Sequence, residues 1–189
     1  MPPRIACVLN PSNEYDLEYV IRLRDGIARK TKHFEFFPII ERRWPGWWCK
    51  MALFEPHIKG DLLYFDLDTV IADDLSDIFA VKKLTVLSDF NKPEIMASGM
   101  MFIPEAERAA VWEEWIKDPQ KHIADRGKYF GDGGFLGRFW GNAHRWQDVL
   151  PGQVVSYKKH VRGKGIPPEA RVICFHGKPR PRDVNWKVP

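Results

Sequence analysis

The chain has 189 residues and a formal net charge of +4, with 44% hydrophobic and 29% charged residues. This length suits one domain with one sizeable core, and the composition is that of a globular protein rather than a disordered or fibrous one. We therefore expect a single domain over 1–189. The start of the chain is too polar to predict a signal peptide, and no apolar run approaches the ~20 residues that span a bilayer.

The three cysteines are widely spaced, at Cys7, Cys49 and Cys174, and none belongs to a CxxC pair. This spacing argues against a zinc site or a thiol redox motif. Each cysteine has apolar neighbours, so we expect it to be buried as a small hydrophobic residue. Unpaired cysteines fit a reducing compartment, and we expect a cytoplasmic location.

Strand and helix patterns alternate along the first half of the chain and then mix. In chain order they predict a strand at 4–9, a helix at 15–30, a strand at 34–40, a short helix at 47–54 and a strand at 61–65. A short helix starting at Asp73, strands at 84–88 and 99–103, a helix at 105–117, a glycine-rich stretch at 131–141 and strands near 153–157 and 171–175 follow. The order predicts an α/β fold with a mainly parallel sheet.

Asp66 and Asp68 follow directly after the apolar strand at 61–65. If the chain stays extended, side chains two residues apart point the same way, at the sheet edge where open α/β sheets bind ligands. Two neighbouring carboxylates repel unless a cation or a proton lies between them. The pair therefore predicts a site for Mg²⁺ or Mn²⁺, although two acids in a solvated loop would give the same pattern.

A second group of candidates, His176-Gly177-Lys178, follows the last apolar strand. A neutral imidazole can add a nitrogen ligand to the same ion, and a lysine can meet a phosphate as a point charge. Gly177 lets the backbone approach a ligand closely. A lone histidine is more often structural, so this motif is informative only together with the aspartates.

Further candidates lie on predicted helices and turns between these two groups. Lys50 belongs to an aromatic-rich short helix 16 residues before Asp66, and could reach a diphosphate or an acid near the metal. Ser98-Gly99 and Asp132-Gly133 each place a small polar residue beside a glycine, as close approach to a ligand requires. Either pair could equally be a plain turn.

The segment DLLYFDLDTVIADDLSDIF at 61–79 resembles the metal-binding region of glycosyltransferase family 8, the glycogenin and lipopolysaccharide galactosyltransferase type. The family has a lysine on a helix before this region, a small-polar-glycine stretch after it, an acidic residue opening a later helix, and a closing histidine with a lysine-proline pair. The matching positions here are Lys50, Ala97-Ser98-Gly99, Asp132, His176 and Lys178-Pro179. Their order and rough spacing hold from about residue 5 to residue 181.

The resemblance implies a single GT-A type, Rossmann-like domain with a mainly parallel mixed sheet flanked by helices. It implies that Asp66, Asp68 and His176 hold Mn²⁺ (or Mg²⁺), and that Lys50 and Asp132 border the transferred sugar and act in catalysis. The positions that would contact the nucleotide sugar are Asn10, Tyr15, Lys50, Asp66, Ser98, Gly99, Gly177, Lys178 and Arg180. Within this set, Asn10 and Tyr15 would lie next to the base and Lys178 next to the diphosphate.

Several positions depart from the family pattern. Ala97 stands where the family usually has asparagine, and Gly133 where it usually has the glutamine that lies near the reacting carbon. No tryptophan directly follows the closing prolines, so Arg180 competes with Lys178 for the phosphate role.

The resemblance therefore predicts a metal-dependent transfer of a hexose from a nucleotide-diphosphate sugar, by family default a UDP-sugar, to an acceptor with retention of configuration. The acceptor could be a saccharide, a lipid or a protein, and a membrane surface or partner protein could supply part of its site. Towards its end the chain is rich in basic residues, namely Lys158, Lys159, Arg162, Lys164, Lys178, Arg180, Arg182 and Lys187. No nucleic-acid-binding module accompanies them, so we expect no nucleic-acid partner.

Two other interpretations remain open on the sequence. The string FDLDTV also fits the first motif of haloacid-dehalogenase-like phosphatases, with Asp66 as the nucleophile and Ser88 in a second motif. Against it, that motif usually lies near the N-terminus, whereas about 60 residues precede it here. Ser88 also follows closely, and the expected later aspartate is missing at 131–134. The third interpretation is a sugar-nucleotide-binding protein without catalysis, which Ala97 and Gly133 make conceivable.

Overall fold

The computed structural model describes residues 3–12, 14–128 and 130–186, and Lys187 of the basic cluster lies outside this part of the chain. The strands are β1 Arg4–Leu9, β2 Glu35–Ile40, β3 Leu62–Phe65, β4 Thr69–Ile71, β5 Thr85–Ser88, β6 Met96–Ile103, β7 His144–Arg145, β8 Val154–Ser156 and β9 Val172–Cys174. The α-helices are α1 Leu17–Lys30, α2 Ser76–Ala80, α3 Ala109–Lys117, α4 Pro119–Ala124, α5 Gly131–Gly137 and α6 Trp146–Val149. Gly46–Phe54 is a 3₁₀ helix, and Tyr157–Val161 is a single turn of π-helix.

The larger sheet of the described chain has six strands in the order β2-β1-β3-β6-β5-β7. β1 pairs in parallel with β2 and β3, and β5 pairs in parallel with β7, whereas β6 runs antiparallel to both of its neighbours. Five of these strands therefore point in one direction. The arrangement is the α/β class with a mainly parallel mixed sheet that the sequence predicts.

A smaller sheet of three strands, in the order β4-β9-β8, lies beside the larger one. β4 leaves the turn after β3 and pairs antiparallel with β9, and β8 pairs in parallel with β9. Because β9 leads into His176 and Gly177, this pairing brings the end of the chain next to the Asp66–Asp68 segment.

Apolar side chains fill both faces of the larger sheet. On one face a cluster built around α1 includes Leu23 and Ile27, which are almost completely buried because α1 turns one apolar stripe towards the sheet. On the other face an aromatic cluster includes Trp48, Trp115 and Phe135, with the Trp48 and Trp115 rings stacked 5.2 Å apart. The buried tryptophans therefore serve mainly as core.

Several predicted elements differ in detail from the observed ones. The helix predicted to start at Asp73 begins at Ser76, because the Asp74 carboxylate accepts a hydrogen bond from the Ser76 N–H at 2.8 Å and holds the preceding residues in a turn. The helix predicted at 105–117 divides into a short 3₁₀ turn, Glu105–Glu107, and α3. β4, β7, α4 and α6 were not predicted at all.

None of the helices in the described ranges combines the length and the apolar character that a bilayer crossing requires.

Candidate functional site

A cavity of about 820 Å³ opens where β1 and β3 end, between the larger and the smaller sheet. This is the edge at which open α/β sheets bind ligands, and the volume lies at the upper end of the ~300–1,000 Å³ typical of ligand sites. The predicted site residues on its wall are Asn10, Tyr15, Lys50, Asp66, Asp68, Ser98, Gly99, Asp132, His176, Gly177 and Arg180. One cavity therefore brings together all the candidates except Lys178.

The segment that carries Asp66 and Asp68 is a turn and not an extended strand. The Thr69 N–H donates to the Asp66 carbonyl at 3.0 Å, and the Asp66 N–H donates to the Gly99 carbonyl at 2.8 Å. Both carboxylates face the cavity, as predicted. The predicted cause, an extended chain that turns both side chains the same way, was wrong. The turn between β3 and β4 places them there, and not the alternation of side chains along a strand.

Lys50 is the centre of a buried polar network. Its Nζ lies 3.0 Å from Asp66 Oδ1 and 2.8 Å from Asp132 Oδ2, and it donates to Ser98 Oγ at 3.1 Å. Ser98 Oγ in turn donates to Asp132 Oδ2 at 2.6 Å. The 3₁₀ helix, β3, β6 and α5 thus meet through one lysine.

Burial alone would lower the pKa of Lys50, but the carboxylates of Asp132 and Asp66 outweigh it and raise the pKa above its usual value. Lys50 therefore stays protonated at all physiological pH values. It supplies a fixed positive charge on the cavity wall.

Asp68 has a different set of partners from Asp66. Its carboxylate is paired with the Arg180 guanidinium, and the Tyr15 hydroxyl donates to Asp68 Oδ2 at 3.2 Å. Burial and repulsion from Asp66 raise the pKa of Asp68 to about 7, although the Arg180 charge opposes the change. Burial and the Asp68 charge also raise the pKa of Tyr15 above its usual value, so its phenol remains protonated.

Arg180, rather than Lys178, faces the aspartates. The Arg180 side chain is 17% exposed and lies on the cavity wall, with its guanidinium 5.0 Å from the centre of the Tyr15 ring. The Lys178 side chain is 72% exposed, and its nearest acidic group is Glu14 at 4.0 Å. Gly177 has φ +71°, a backbone conformation that favours glycine, so it forms the turn between His176 and these two residues.

His176 lies on the same wall but is engaged elsewhere. Its Nε2 is 2.6 Å from Ser156 Oγ, and its ring stacks on Phe90 with the centres 5.2 Å apart. Burial and the charge of Lys158 lower the pKa of His176, which favours the neutral imidazole. In the described part of the chain, no three His, Cys, Asp or Glu side chains lie close enough together to hold a metal ion.

Close packing favours glycine at two positions of the predicted site, Gly99 and Gly133. A Cβ at Gly99 would lie 3.3 Å from Asp66 Oδ2, so glycine leaves the space that the Asp66 carboxylate occupies. A Cβ at Gly133 would lie 3.3 Å from the Met96 carbonyl oxygen. The approach of α5 to β6 therefore accounts for glycine at 133, where the family has glutamine.

Asn10 lines the cavity, but its amide nitrogen is already used. It donates to the carbonyl oxygens of Glu41 and Trp44 at 3.0 and 2.9 Å. These bonds hold the end of β1 against the loop that follows β2. The Asn10 side-chain oxygen is the part of the amide left for a ligand.

The sequence interpretation missed several cavity residues, of which Tyr64, Trp47 and Phe90 bear most on ligand binding. Tyr64 donates from its hydroxyl to Asp66 Oδ1 at 2.6 Å, while Trp47 and Phe90 line the wall. Tyr64 is two residues before Asp66 on the preceding strand, and a hydroxyl this close to a carboxylate in sequence was a usable signal. Trp47 and Phe90 gave no such signal, because aromatic residues fill cores more often than they line sites.

No family model and no curated protein matches this sequence. Solved structures do match. The glycosyltransferase GlyE of Streptococcus pneumoniae TIGR4 aligns with a TM-score of 0.71 at 10% identity, over 95% of this chain and 56% of GlyE. An active-site variant of LgtC aligns with a TM-score of 0.66 at 11% identity, over 94% of this chain and 89% of LgtC. The galactosyltransferase LgtC in complex with donor and acceptor sugar analogs gives 0.64 at 12% identity, over 94% and 88%.

The chain has the fold of these glycosyltransferases. The comparison confirms the predicted GT-A type architecture across nearly all of the chain. The chain spans about half of the length of GlyE, at 56%. At 10–12% identity the likeness concerns the fold, and the activity has to be argued from the cavity.

Proposed function

We propose that this chain is a metal-dependent glycosyltransferase that moves a hexose from a nucleotide-diphosphate sugar, with a UDP-sugar as donor, to an acceptor. Residues 1–189 act in this proposal as one donor-binding domain. The observation that carries it is the charge arrangement in the cavity. Asp66, Asp68 and Asp132 alternate there with Lys50 and Arg180 at the carboxyl edge of a GT-A type sheet.

In this proposal Asp66 and Asp68 hold a divalent cation such as Mn²⁺ or Mg²⁺, supported by the position of both carboxylates on the wall of one cavity. Asp66 and Asp68 offer the oxygen ligands that such ions prefer, and part of the rise in the Asp68 pKa is the repulsion that a cation between the two carboxylates would relieve. His176 can add an imidazole nitrogen once its contact with Ser156 is released. When bound, the ion supplies Lewis-acid stabilisation of the charge on the leaving diphosphate.

The chain's own residues bind and orient the donor. Arg180 lies beside Asp68 and can donate to the diphosphate with a planar guanidinium, which suits phosphate oxygens. Asn10 and Tyr15 lie on the wall next to it, where we place the base. Lys178 extends into solvent and attracts the anionic donor from outside the wall.

Asp132 binds the sugar in this proposal, and Lys50 borders the same subsite and fixes the Asp132 carboxylate. Asp132 Oδ2 already has two donors, Lys50 at 2.8 Å and Ser98 at 2.6 Å, so its free Oδ1 is the atom left for a sugar hydroxyl. A carboxylate stabilised by two donors is a weak nucleophile. We therefore propose that retention arises from attack by the acceptor on the same face of the sugar rather than through a covalent intermediate on Asp132.

The first test measures donor binding with Mn²⁺ across a panel of nucleotide sugars, by thermal shift and by donor hydrolysis. We expect a UDP-sugar to raise the melting temperature only when metal is present. Asp68→Asn should weaken that binding by ~100-fold, because a metal ligand and the partner of Arg180 are lost. Asp25→Asn, on α1 and away from the cavity, is the matched control and should bind the donor normally. A panel in which no nucleotide sugar stabilises the chain would refute the proposal.

The same assay separates the alternatives. A haloacid-dehalogenase-like phosphatase with Asp66 as nucleophile would release inorganic phosphate from a generic ester, and a non-catalytic binding protein would bind the donor without releasing nucleoside diphosphate. Asp66 is poorly placed for attack on phosphorus, because Tyr64 and Lys50 both donate to its carboxylate. The solved structures reported above are glycosyltransferases and supply no support for the phosphatase.

The cysteines and the exposed basic residues bear on location and partners. The cysteines Cys7, Cys49 and Cys174 are free and buried, which supports the proposal of a reducing, cytoplasmic setting. The exposed basic residues at the π-helix and near Arg182 support contact with an acidic surface, either a membrane or a partner protein. Mixing the chain with anionic vesicles in a flotation assay tests the membrane contact.

A further inference from the structure

An exposed aromatic pair begins at the mouth of the cavity, where Trp47 lines the wall and Phe130 packs against it from outside the lining. Trp47 is 49% and Phe130 47% exposed, and they are the aromatic members of the exposed large hydrophobic residues in the described chain. Their rings meet edge to face, with the centres 5.8 Å apart. Single exposed apolar residues need no explanation, but two large rings that touch at the rim of a cavity mark a ligand surface.

The pair is attached to the two elements that carry the proposed sugar-binding residues. Trp47 precedes Lys50 by three residues on the same 3₁₀ helix and lies on the cavity wall. Phe130 immediately precedes α5, whose first turn carries Asp132. Gly131 joins them with φ +76°, and a Cβ there would lie 3.6 Å from Trp47 Nε1, so the indole packs over the start of α5.

The chemistry of the pair matches a pyranose ring. Flat aromatic faces pack against the C–H face of a sugar, and the Trp47 indole N–H has no hydrogen-bond partner among the described residues, so it is available to a hydroxyl. The Arg126 guanidinium lies 5.3 Å from the centre of the Phe130 ring and adds donors at the far edge. A lipid chain would require a continuous apolar groove, whereas the Arg126 guanidinium lies over Phe130 and the cavity that Trp47 lines carries Lys50 and Asp132.

We propose that Trp47 and Phe130 form the acceptor subsite and bind a pyranose ring of a saccharide acceptor. The inference rests on the proposed function, because it assigns the cavity interior to the donor and the rim to the acceptor. It selects a saccharide from the acceptor classes that the sequence leaves open. It also predicts that loss of either ring leaves donor binding unchanged.

The test uses saturation-transfer difference NMR with the full chain, UDP and Mn²⁺, and three probes: methyl α-D-glucopyranoside, methyl β-D-galactopyranoside and methyl α-D-mannopyranoside. We expect at least one probe to receive saturation from the wild-type chain. Trp47→Leu and Phe130→Leu should each reduce that signal by ~5–10-fold, because leucine keeps an apolar side chain but removes the flat face. Trp47→Phe should retain most of the signal.

The controls separate this inference from the proposed function. Ile116→Ala removes a hydrophobic side chain of equal exposure, 50%, on α3 and away from the cavity wall, and should change nothing. Thermal shift by UDP with Mn²⁺ should be the same in Trp47→Leu as in the wild type. A donor-binding wild-type chain that gives no signal with any probe overturns the acceptor subsite, as does a signal unchanged in both leucine variants. Loss of UDP binding in the wild type overturns the proposed function instead.

Discussion

Lys50 shows how a single buried charge can organise a site. It satisfies Asp66, Asp132 and Ser98 at once, and each of these lies on a different element. A buried ion pair is not in itself a strong source of stability, but removing one partner leaves the other charges buried without compensation. The network is therefore sensitive to the loss of the lysine in a way that surface pairs are not.

We predict that Lys50→Met destabilises the metal-free chain by about 3–5 kcal/mol, because two largely buried carboxylates lose their common partner. The measurement is the free energy of unfolding from urea titration. Lys117→Met is the matched control, since Lys117 is 70% exposed and pairs with Glu114 on the surface of α3, and its loss should cost less than about 0.5 kcal/mol. Equal destabilisation by the two variants would contradict the role given to Lys50.

For individual residues, the sequence was a good guide to which side chains lie at the site. It was a poor guide to which other side chains they contact. Asp66, Asp68, Lys50 and Asp132 could be found because charged residues next to buried strands and helices need an explanation. Their pairing could not be found, because Lys50 and Asp132 are far apart in sequence and meet only through the packing of α5 on the 3₁₀ helix. Arg180 faces the aspartates and Lys178 does not because of the turn at Gly177, and no local sequence pattern predicts the direction of that turn.

At the scale of elements, the close approach of α5 to β6 has the largest consequence for the site. It brings Asp132 to Ser98 and would put a Cβ at position 133 in tight contact with the Met96 carbonyl oxygen. The direction of β6 was not predictable, because a fully buried apolar strand has the same pattern whichever way it runs. α4 was predictable in principle, since Asp118 caps it and Pro119 occupies its first turn.

Two glycine substitutions in α5 should have opposite effects. Gly133→Ala places a Cβ 3.3 Å from the Met96 carbonyl oxygen, which belongs to a sheet strand and yields little, so we expect a loss of about 1 kcal/mol. A Cβ at Gly137 meets nothing within 4 Å, so Gly137→Ala should gain about 0.5–1 kcal/mol from helix propensity. Urea titration of both variants measures the change in the free energy of unfolding. A Gly133→Ala variant that is more stable than the wild type would show that α5 and β6 are less tightly packed than a 3.3 Å separation implies.

At the scale of the whole molecule, the two sheets and the cavity between them form one connected arrangement. The three cysteines lie in different parts of this arrangement. Cys7 is in β1 of the larger sheet, Cys49 is in the 3₁₀ helix and Cys174 is in the smaller sheet. Burial raises the pKa of Cys7 and of Cys49 to about 12, and burial also raises the pKa of Cys174. These thiols therefore stay protonated in the folded chain at mildly alkaline pH, where unfolded thiols ionise.

We predict that the native chain does not react with Ellman's reagent at mildly alkaline pH, and that all three thiols react after denaturation. The pKa values of the thiols are higher in the folded chain than in the unfolded chain. The stability that comes from burying the protonated thiols is therefore complete below the unfolded thiol pKa, and it declines as the pH rises above that value. The release of the coloured thiolate over time provides the measurement. Cys174 lies on the cavity wall, so its early reaction alone would show that the reagent reaches this wall in the folded chain, contrary to this expectation.

Trp47 also gives the molecule an optical property. Of the eight tryptophans, all within the described ranges, it is the exposed one, whereas the others are buried or half-buried. Acrylamide should therefore quench its emission selectively, and emission from the remaining indoles should form a protected background. Whatever occupies the cavity mouth shields this one fluorophore, so the unlabelled protein can serve as its own indicator when candidate acceptors are screened.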